Sequence, residues 1–248
     1  MNPENQLILL SDSPYDTPNP FNALNDPEGL VAVGGDLSSE RLVHLYSHGF
    51  FPWYCEPEPI LWWHPKERCV LFPEQFHLSR SSRKSIIKNN WHIKFNSQFK
   101  AVIQRCAQHR EQKEGTWISN DIQEAYLVLH QLGYAHSIEV WQGSTLVGGF
   151  YGVAIGSVFF GESMFSEQKN ASKTALFYLC QQAKNLGIEL IDCQVESAHL
   201  ISLGASLINR ERFLHTLERL IPSNRPLESL QKMDNTIPHY YHKLLNQA

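Results

Sequence analysis

Apolar residues follow two different periods in this chain. In the segment SQFKAVIQRCAQHR they fall at Phe99, Val102, Ile103 and Cys106. Phe99 is followed by apolar residues three and four positions later, and Cys106 comes three positions after Ile103. This spacing predicts an amphipathic helix. From His136 the period changes to two, in HSIEVW, TLVGGFYGVAI and SVFFGESMF, which predicts an antiparallel meander of three strands. Glycines within the meander predict bulges and close approach of neighbouring backbones.

A helix and a further strand follow the meander. Helical spacing of apolar residues begins after Asn170, and the run ELIDCQV then predicts a short buried strand. A strand, a helix and a strand in this order predict a right-handed crossover between parallel strands. The chain is therefore predicted to be an α/β protein with a mixed sheet flanked by helices. This order is similar to the acyltransferase fold of the acetyl-coenzyme-A-dependent N-acetyltransferases.

Further helices are predicted outside this unit. The segments SSERLVHLYSHG and NDIQEAYLVLHQLG carry Tyr46 and Tyr126 in their apolar stripes, and Asn120 is expected to open the second through a capping box with Gln123. The remaining predicted helices are the basic segment SRSSRKSIIKNN, a short one near 198–203 and one over 210–221. The tail from Pro222 is expected to be loosely attached.

Two stretches rich in proline are predicted to be irregular. Residues 1–30 form an arm rich in Pro, Asn and Asp, and FPWYCEPEPILWWHP holds Trp53, Trp62 and Trp63 among prolines. Core packing is the expected role of two of these tryptophans. A tryptophan held in a stiff loop is also able to stack on an unpaired base.

Composition and cysteine usage narrow the class of protein. Of 248 residues, 42% are hydrophobic and 19% are charged, which is typical of a globular chain of one large or two small domains. The apolar runs are too short to cross a bilayer, and no basic stretch precedes the first one, so neither a membrane span nor a signal peptide is expected. Five cysteines without a C-x-x-C pair, and histidines without H-E-x-x-H, favour a reduced cytoplasmic protein without a metal site.

Basic residues are concentrated in one segment. Between Gln75 and Lys113 there are nine basic residues and one acidic residue, although the whole chain carries a net charge of -4. The usual outcome of such a run is a solvated helix face. Because the excess has one sign, the segment equally favours a local contact with a polyanion such as RNA.

Polar residues interrupt two apolar strands. Asp192, Cys193 and Gln194 lie within LIDCQV, and Glu162 lies where SVFFG meets its loop. In a regular strand, Asp192 and Gln194 leave one face and Cys193 leaves the other. Functional sites gather at strand ends, so these residues are candidates for a catalytic centre. The alternative is that Asp192 and Gln194 cap a neighbouring loop.

Nine strings in the chain, taken in order, resemble the leucyl/phenylalanyl-tRNA–protein transferase family. They are GLVAVGGDLS, GFFPWY, PILWWHP, EGTWIS, GYAHSIEVW, VGGFYGV, GESMFS, NASKTAL and LIDCQV, within residues 28–205. The resemblance implies an enzyme that moves leucine or phenylalanine, and methionine less well, from aminoacyl-tRNA to proteins that begin with arginine or lysine. Such transfer marks the acceptor protein for N-degron degradation.

The same resemblance implies how the chain is organised. It implies a small N-terminal α/β domain, over residues 1–65, and an acyltransferase-like catalytic domain over residues 66–248. Neither a metal ion nor a coenzyme is implied, and no membrane is involved. The expected partners are aminoacyl-tRNA and the acceptor protein.

By this resemblance, catalysis is assigned to Asp192, Gln194 and Glu162. Asp192 is expected to accept hydrogen bonds from the incoming α-amine, and Gln194 to orient the amine or the ester carbonyl. Glu162 is expected to attract the basic first residue of the acceptor. Such an amine is partly neutral in the cytoplasm (pKa roughly 7.7–8.0), so positioning can replace a strong base.

The donor is expected to occupy an apolar pocket, a stacking site and a phosphate site. The pocket candidates are Met164, Phe159, Phe160, Ala175 and Leu179, most of which have core packing as their alternative role. Trp53 and Trp117 match loop tryptophans of the family and are candidates for stacking on the terminal adenosine. The candidates for the acceptor-stem phosphates are Arg80, Arg83, Lys84 and Lys88.

Three other classes of protein are compatible with parts of the sequence. An N-acetyltransferase binds pyrophosphate through a [RQ]-x-x-G-x-[GA] loop, but residues 168–173 read QKNASK, so both small positions are altered. A non-catalytic RNA-binding module would explain the basic segment but not the polar centre. A cysteine hydrolase would use Cys193 and His199, although a cysteine in an apolar strand is more often inert packing.

Overall fold

The computed structural model describes residues 6–89, 91–112 and 115–231. The strands are β1 (Ile8–Leu10), β2 (Leu30–Gly34), β3 (Phe51–Pro52), β4 (Leu61–Trp63), β5 (Glu67–Leu71), β6 (His92–Phe95), β7 (Ala135–Gln142), β8 (Thr145–Ile155), β9 (Val158–Ser166), β10 (Leu190–Gln194) and β11 (Ser206–Asn209). The helices are α1 (Ser39–Ser47), α2 (Arg80–Asn89), α3 (Phe99–Glu111), α4 (Asn120–Gln131), α5 (Ala171–Leu186), α6 (Ala198–Ile201), α7 (Arg210–Leu220) and α8 (Glu228–Gln231). Two short 3-10 helices cover Pro20–Asn22 and Pro73–Gln75.

The strands form two mixed sheets. The smaller sheet has the order β1-β2-β4-β3, with β1 and β2 parallel and the other neighbours antiparallel. The larger sheet has the order β11-β5-β10-β9-β8-β7-β6, with β9 and β10 parallel and the other neighbours antiparallel. The predicted α/β class, the mixed sheet, the meander β7-β8-β9 and the parallel strand after α5 are confirmed. Strands β1, β2 and β11 are not predicted by the sequence pattern.

Helix α4 begins from a different cap than the sequence indicated. The Ser119 hydroxyl oxygen accepts a hydrogen bond from the Ile122 backbone N–H, so Ser119 is the N-cap and Asn120 is already helical. The Gln123 side chain donates instead to the carbonyl oxygen of Ile118. The capping box expected from Asn120 and Gln123 is therefore wrong, although the helix lies where its apolar stripe predicted it.

The proline-rich segment contains two short strands. Trp62 and Trp63 lie in β4, and the fully buried Trp62 donates from Nε1 to the Gly34 carbonyl oxygen at 3.0 Å. Proline is tolerated in β3 because this strand is at the edge of its sheet. Trp53 follows β3 in a loop and is 43% exposed. The irregular structure predicted here is therefore right for Trp53 and wrong for β3 and β4.

Close approach between β8 and β9 depends on a glycine. A Cβ on Gly152 would lie 2.2 Å from the Phe160 carbonyl oxygen. At this point the pairing of the two strands shifts register, between Tyr151 and Gly152. The bulge predicted from the glycines is present here, and two residues beyond Phe160 the strand carries Glu162.

The two sheets share one hydrophobic core. A continuous cluster of buried side chains contains Tyr46 from α1, Tyr126 from α4 and Phe160 from β9. A second cluster packs α5 against the larger sheet. Residues 8–63 supply the smaller sheet and residues 67–209 the larger one, and the domain boundary after residue 65 stays a prediction.

The segment after Pro222 packs against the rest of the molecule as far as it is described. Leu230 is 1% exposed, and Pro226 forms an isolated bridge with Ile155. Loose attachment is therefore wrong for residues 222–231, and residues 232–248 lie outside the described part. Across the described ranges, no helix is both long enough and apolar enough to cross a membrane.

Candidate active site

The centre of the site forms where β10 ends. Its pairing with β5 shifts register between Asp192 and Gln194, and Gln194 has a φ of +63°. This left-handed conformation costs a residue with a Cβ about 1–2 kcal/mol. The Gln194 N–H donates to Oδ1 of Asp192 at 2.9 Å, which stabilises the bulge. The regular alternation expected along Asp192, Cys193 and Gln194 is therefore interrupted.

Asp192 pairs with an arginine that the sequence did not single out. Arg68 on β5 donates from Nε to Oδ1 at 2.8 Å and from Nη2 to Oδ2 at 2.7 Å, and both side chains are fully buried. The guanidinium lies 4.7 and 4.6 Å from the ring centroids of Phe51 and Phe213. Both Asp192 oxygens are thus occupied and shielded from solvent. The direct contact expected between Asp192 and an incoming amine does not fit this geometry.

Gln194 binds Glu162 through its side-chain amide. Nε2 of Gln194 donates to Oε1 of Glu162 at 2.7 Å, and when Glu162 is ionised this bond fixes the amide orientation because an ionised carboxylate only accepts. The hydroxyls of Tyr46 and Tyr126 donate to the same carboxylate at 2.7 and 3.2 Å and contact each other. No side chain or backbone group in the described ranges donates to Oε1 of Gln194. That oxygen is left as a hydrogen-bond acceptor.

The two tyrosines are functional candidates that the sequence predicted only as core residues. Tyr46 and Tyr126 belong to different helices, 80 residues apart in the chain. A hydroxyl in the middle of a buried stripe is a signal, because a buried hydroxyl needs a partner. The partner itself, Glu162, is 116 residues from Tyr46 and was not predictable from local pattern.

Burial changes the ionisation of this cluster. It raises the pKa of Glu162 to about 7, although hydrogen bonds from Tyr46, Gln194 and Tyr126 act in the opposite direction. Burial and the neighbouring Glu162 charge raise the pKa of both tyrosines well above its usual range, so both remain donors at neutral pH. Glu162 is therefore poised between its neutral and ionised forms near pH 7.

A cavity of about 510 Å³ opens beside the polar centre. Its polar lining includes Glu162 and Gln194. Its apolar lining includes Phe150, Met164, Leu176, Ile191 and Leu200. Trp53, Trp117 and Arg110 also line it. The fold thus brings Met164 and the two loop tryptophans to the same cavity as Glu162 and Gln194.

Four predicted pocket residues do not line this cavity. Phe159, Phe160, Ala175 and Leu179 are fully buried and pack within the two hydrophobic clusters. Their alternative role, core packing, is therefore the correct one. Leu176 lines the cavity in place of its neighbour Ala175. Which of the two side chains faces the opening depends on how α5 is rotated against the sheet, and the local sequence pattern does not specify that rotation.

Arg110 links the cavity to a second, adjoining one. Its Nε donates to the Ser163 hydroxyl at 2.8 Å, and its guanidinium carbon lies 6.0 Å from the Trp117 ring centroid. The adjoining cavity, of about 330 Å³, is also lined by Met164 and Ser172. Arg110 was counted in the basic segment but not assigned to the site, because its position depends on how α3 packs on β9.

The basic helix α2 presents a row of charges. Arg80, Lys84 and Lys88 are exposed and four residues apart, so they share one face, whereas Arg83 is half-buried. Lys113, the last residue of the basic segment, lies outside the described residues. The predicted helix is confirmed, and the phosphate contact stays a prediction.

Cysteine and metal chemistry receive no support from the cavity. Cys193 lines it with His199, but a hydrogen bond with Cys69 and burial raise the pKa of the Cys193 thiol well above its usual range. A nucleophilic cysteine requires the opposite shift. Within the described chain, no three His, Cys, Asp or Glu side chains are grouped as metal ligands.

Two family models match the chain. The model described as leucyl/phenylalanyl-tRNA protein transferase matches residues 70–218, and the model of the N-terminal domain of that family matches residues 35–66. The leucyl/phenylalanyl-tRNA–protein transferase of Idiomarina loihiensis is 50% identical over 211 residues, which cover 85% of this chain and 89% of that protein. That of Shewanella piezotolerans is 52% identical over 216 residues, covering 87% and 92%.

The mixed α/β fold, the polar centre and these matches define an aminoacyltransferase. The chain belongs to the leucyl/phenylalanyl-tRNA–protein transferase family, so the resemblance carried by the nine strings is confirmed. Among solved structures, the crystal structure of FemX covers 73% of this chain and 71% of its own, at 11% identity and a TM-score of 0.46.

Proposed function

We propose that this protein transfers leucine or phenylalanine, and methionine less well, from aminoacyl-tRNA to the N-terminal arginine or lysine of acceptor proteins. The transfer marks the acceptor for N-degron degradation and takes place in the cytoplasm, where charged tRNA is made. Family membership supports the aminoacyl transfer. The observation that carries the proposed mechanism is the fixed Gln194 amide, whose Oε1 remains available beside an apolar cavity.

The reaction is aminolysis of an ester. The neutral α-amine attacks the aminoacyl carbonyl carbon, a C–N bond forms, and the C–O bond to the terminal ribose breaks. The amine loses one proton and the ribose oxygen gains one. Oε1 of Gln194 accepts a hydrogen bond from the amine and directs its lone pair toward the carbonyl. Orientation of this kind supplies up to about 7–11 kcal/mol in well-aligned systems.

Glu162 acts on the amine through Gln194. In its ionised form it draws on the Nε2–H group, polarises the amide and makes Oε1 a better acceptor. Tyr46 and Tyr126 hold the carboxylate in position. Because the α-amine titrates at a pKa of roughly 7.7–8.0, a strong general base is not needed.

Asp192 is a positioning residue in this scheme. It accepts the backbone N–H of Gln194 and is itself fixed by Arg68, so it holds Gln194 at its positive φ without touching substrate. This role replaces the contact with the amine that the sequence suggested. Asp192 affects the rate indirectly, because it determines the orientation of the Gln194 side chain.

The donor occupies the apolar cavity and its rim. The leucine or phenylalanine side chain packs on Phe150, Leu176 and the flexible Met164, which adapts to both shapes. Trp53 and Trp117 stack on the terminal adenosine, a contact worth about 1–3 kcal/mol that needs no particular base. The exposed basic residues of α2 bind the phosphates of the acceptor stem.

Transfer of labelled leucine from Leu-tRNA to a peptide with N-terminal arginine tests the proposal. A glycine-first peptide and acetyl-coenzyme A serve as controls, and we expect product only with the arginine peptide. The variant Gln194→Asn keeps a residue type that tolerates positive φ but shortens the side chain, so it should lower kcat about 10²-fold, as a misplacement of about 1 Å does. Acetylation of the peptide without aminoacyl transfer would instead favour an N-acetyltransferase.

A further inference from the structure

One carboxylate in the cavity has no role in the chemistry described so far. Glu196 lies two residues beyond the end of β10, lines the cavity and is exposed. In the described part of the chain its side chain takes part in no hydrogen bond or ion pair. We propose that Glu196 determines acceptor specificity by binding the basic side chain of the acceptor's first residue. The inference rests on the proposed transfer reaction and adds the group that selects its acceptor.

The other two carboxylates near the centre are not available for this contact. Asp192 is fully buried and holds the guanidinium of Arg68 with both oxygens. Glu162 is 7% exposed and already accepts from Gln194 and from two tyrosine hydroxyls. A basic side chain could reach either one only by displacing a buried partner. Glu196, and not Glu162, is therefore the carboxylate that attracts the basic first residue of the acceptor.

Charges of both signs line the cavity. Arg110 lies beside Trp117, the ring proposed to stack on the terminal adenosine, whereas Glu196 follows Gln194 by two residues. His199 also lines the cavity, and burial and Lys173 lower its pKa, which favours the uncharged imidazole. The lowered pKa thus disfavours a charged His199 that would compete with the acceptor for Glu196.

The shared cavity suits arginine and lysine. Glu196 starts within roughly 7 Å of Gln194, since two residues of extended chain span no more than that, and both residues line the same cavity. An acceptor whose α-amine is held by Gln194 can therefore direct a long side chain along the cavity wall to Glu196. Long side chains with a terminal charge do so, and short or uncharged ones gain nothing. An exposed ion pair of this kind should change acceptor affinity about two- to fivefold.

Acceptor peptides that differ only in the charge of the first residue isolate this contact. We would compare N-terminal arginine with citrulline, which has nearly the same shape without the charge, in the wild type, Glu196→Gln and Glu196→Arg. Glu124→Gln, on the exposed face of α4, is the matched control. The measured quantities are kcat and the acceptor KM at saturating Leu-tRNA, together with the KM for the donor.

Glu196→Gln should reduce the preference for arginine over citrulline about two- to fivefold, through the acceptor KM, with kcat and the donor KM unchanged. Glu196→Arg should reduce it further and improve transfer to a peptide that begins with glutamate. Glu124→Gln should behave as wild type. An unchanged preference in both Glu196 variants would overturn the inference while leaving the transfer reaction intact. Absence of transfer by the wild type would instead show that the proposed function has failed.

Discussion

At the scale of single residues, Gln194 combines an unfavourable backbone conformation with a side chain that binds Glu162. Its positive φ is unfavourable for any residue with a Cβ, and the bulge it creates aims the side chain at Glu162. The hydrogen bond from its N–H to Asp192 offsets part of that strain. Glycine would relieve the strain but would remove the amide that is proposed to orient the amine. The strained residue is therefore the one whose long amide side chain the proposed chemistry needs.

The ionisation of Glu162 predicts a pH dependence. Because its pKa is raised to about 7, the ionised form that is proposed to polarise Gln194 appears as pH rises through 7. The profile of kcat/KM should rise through that pH and again near the pKa of the acceptor amine, roughly 7.7–8.0. In Glu162→Gln, whose side chain does not titrate, the rise of kcat/KM near pH 7 should vanish. The rise at higher pH should remain, and its midpoint should follow the α-amine pKa of the acceptor peptide used. A rise near pH 7 that persisted in this variant would belong to another group.

Stability gives an independent check on the same pKa. A carboxyl whose folded pKa is raised from about 4.5 to about 7 favours folding at low pH, and this contribution is lost as pH rises through 7. The free energy of unfolding of the wild type, relative to Glu162→Gln, should thus fall by about 3 kcal/mol between pH 4 and pH 8. Urea titrations of both proteins across this range measure the difference. A flat difference would mean that Glu162 has an ordinary pKa.

At the scale of elements, the end of β10 depends on its pairing with β5. Asp192→Asn removes the charge that compensates the buried Arg68, and breaking a buried ion pair costs about 3–5 kcal/mol. We expect a lower urea midpoint together with a lower kcat, because the bulge at Gln194 loses its support. Gln194→Asn should lose activity at nearly wild-type stability. Full stability in Asp192→Asn with loss of kcat alone would make Asp192 a residue that contacts substrate.

At the scale of the whole molecule, one basic helix face stands out on a chain with a negative net charge. Arg80, Lys84 and Lys88 lie on one exposed face of α2, while the chain as a whole carries -4. Affinity for aminoacyl-tRNA should therefore fall steeply as salt is raised. Replacing Lys84 by alanine should reduce the slope of log affinity against log salt by about 1, without a change in donor preference.

Lys184→Ala supplies the matched control for that measurement. Lys184 is exposed near the C-terminal end of α5 and belongs to no predicted phosphate site. Its removal should leave the salt slope at the wild-type value. Equal slopes for Lys84→Ala and Lys184→Ala would place the tRNA contact elsewhere on the surface.

Much of the fold followed from local pattern. The period of apolar residues predicted α3, α4 and α5 and the meander β7-β8-β9, because burial on one side of an element is recorded every two or three to four residues. The same reasoning failed for β3 and β4, where prolines at a sheet edge are compatible with strand pairing, and for β11, whose four residues are too few to show a period.

The amino-acid sequence was sufficient to predict the class of the fold, the family and the positions of Glu162, Asp192 and Gln194 as a polar set in apolar strands. The groups that each of these residues contacts depend on the tertiary structure. Arg68 meets Asp192 across 124 residues of chain and Tyr46 meets Glu162 across 116, so no local pattern records either contact. Periodicity tells which side of an element is buried, but the partner found there depends on how distant segments pack.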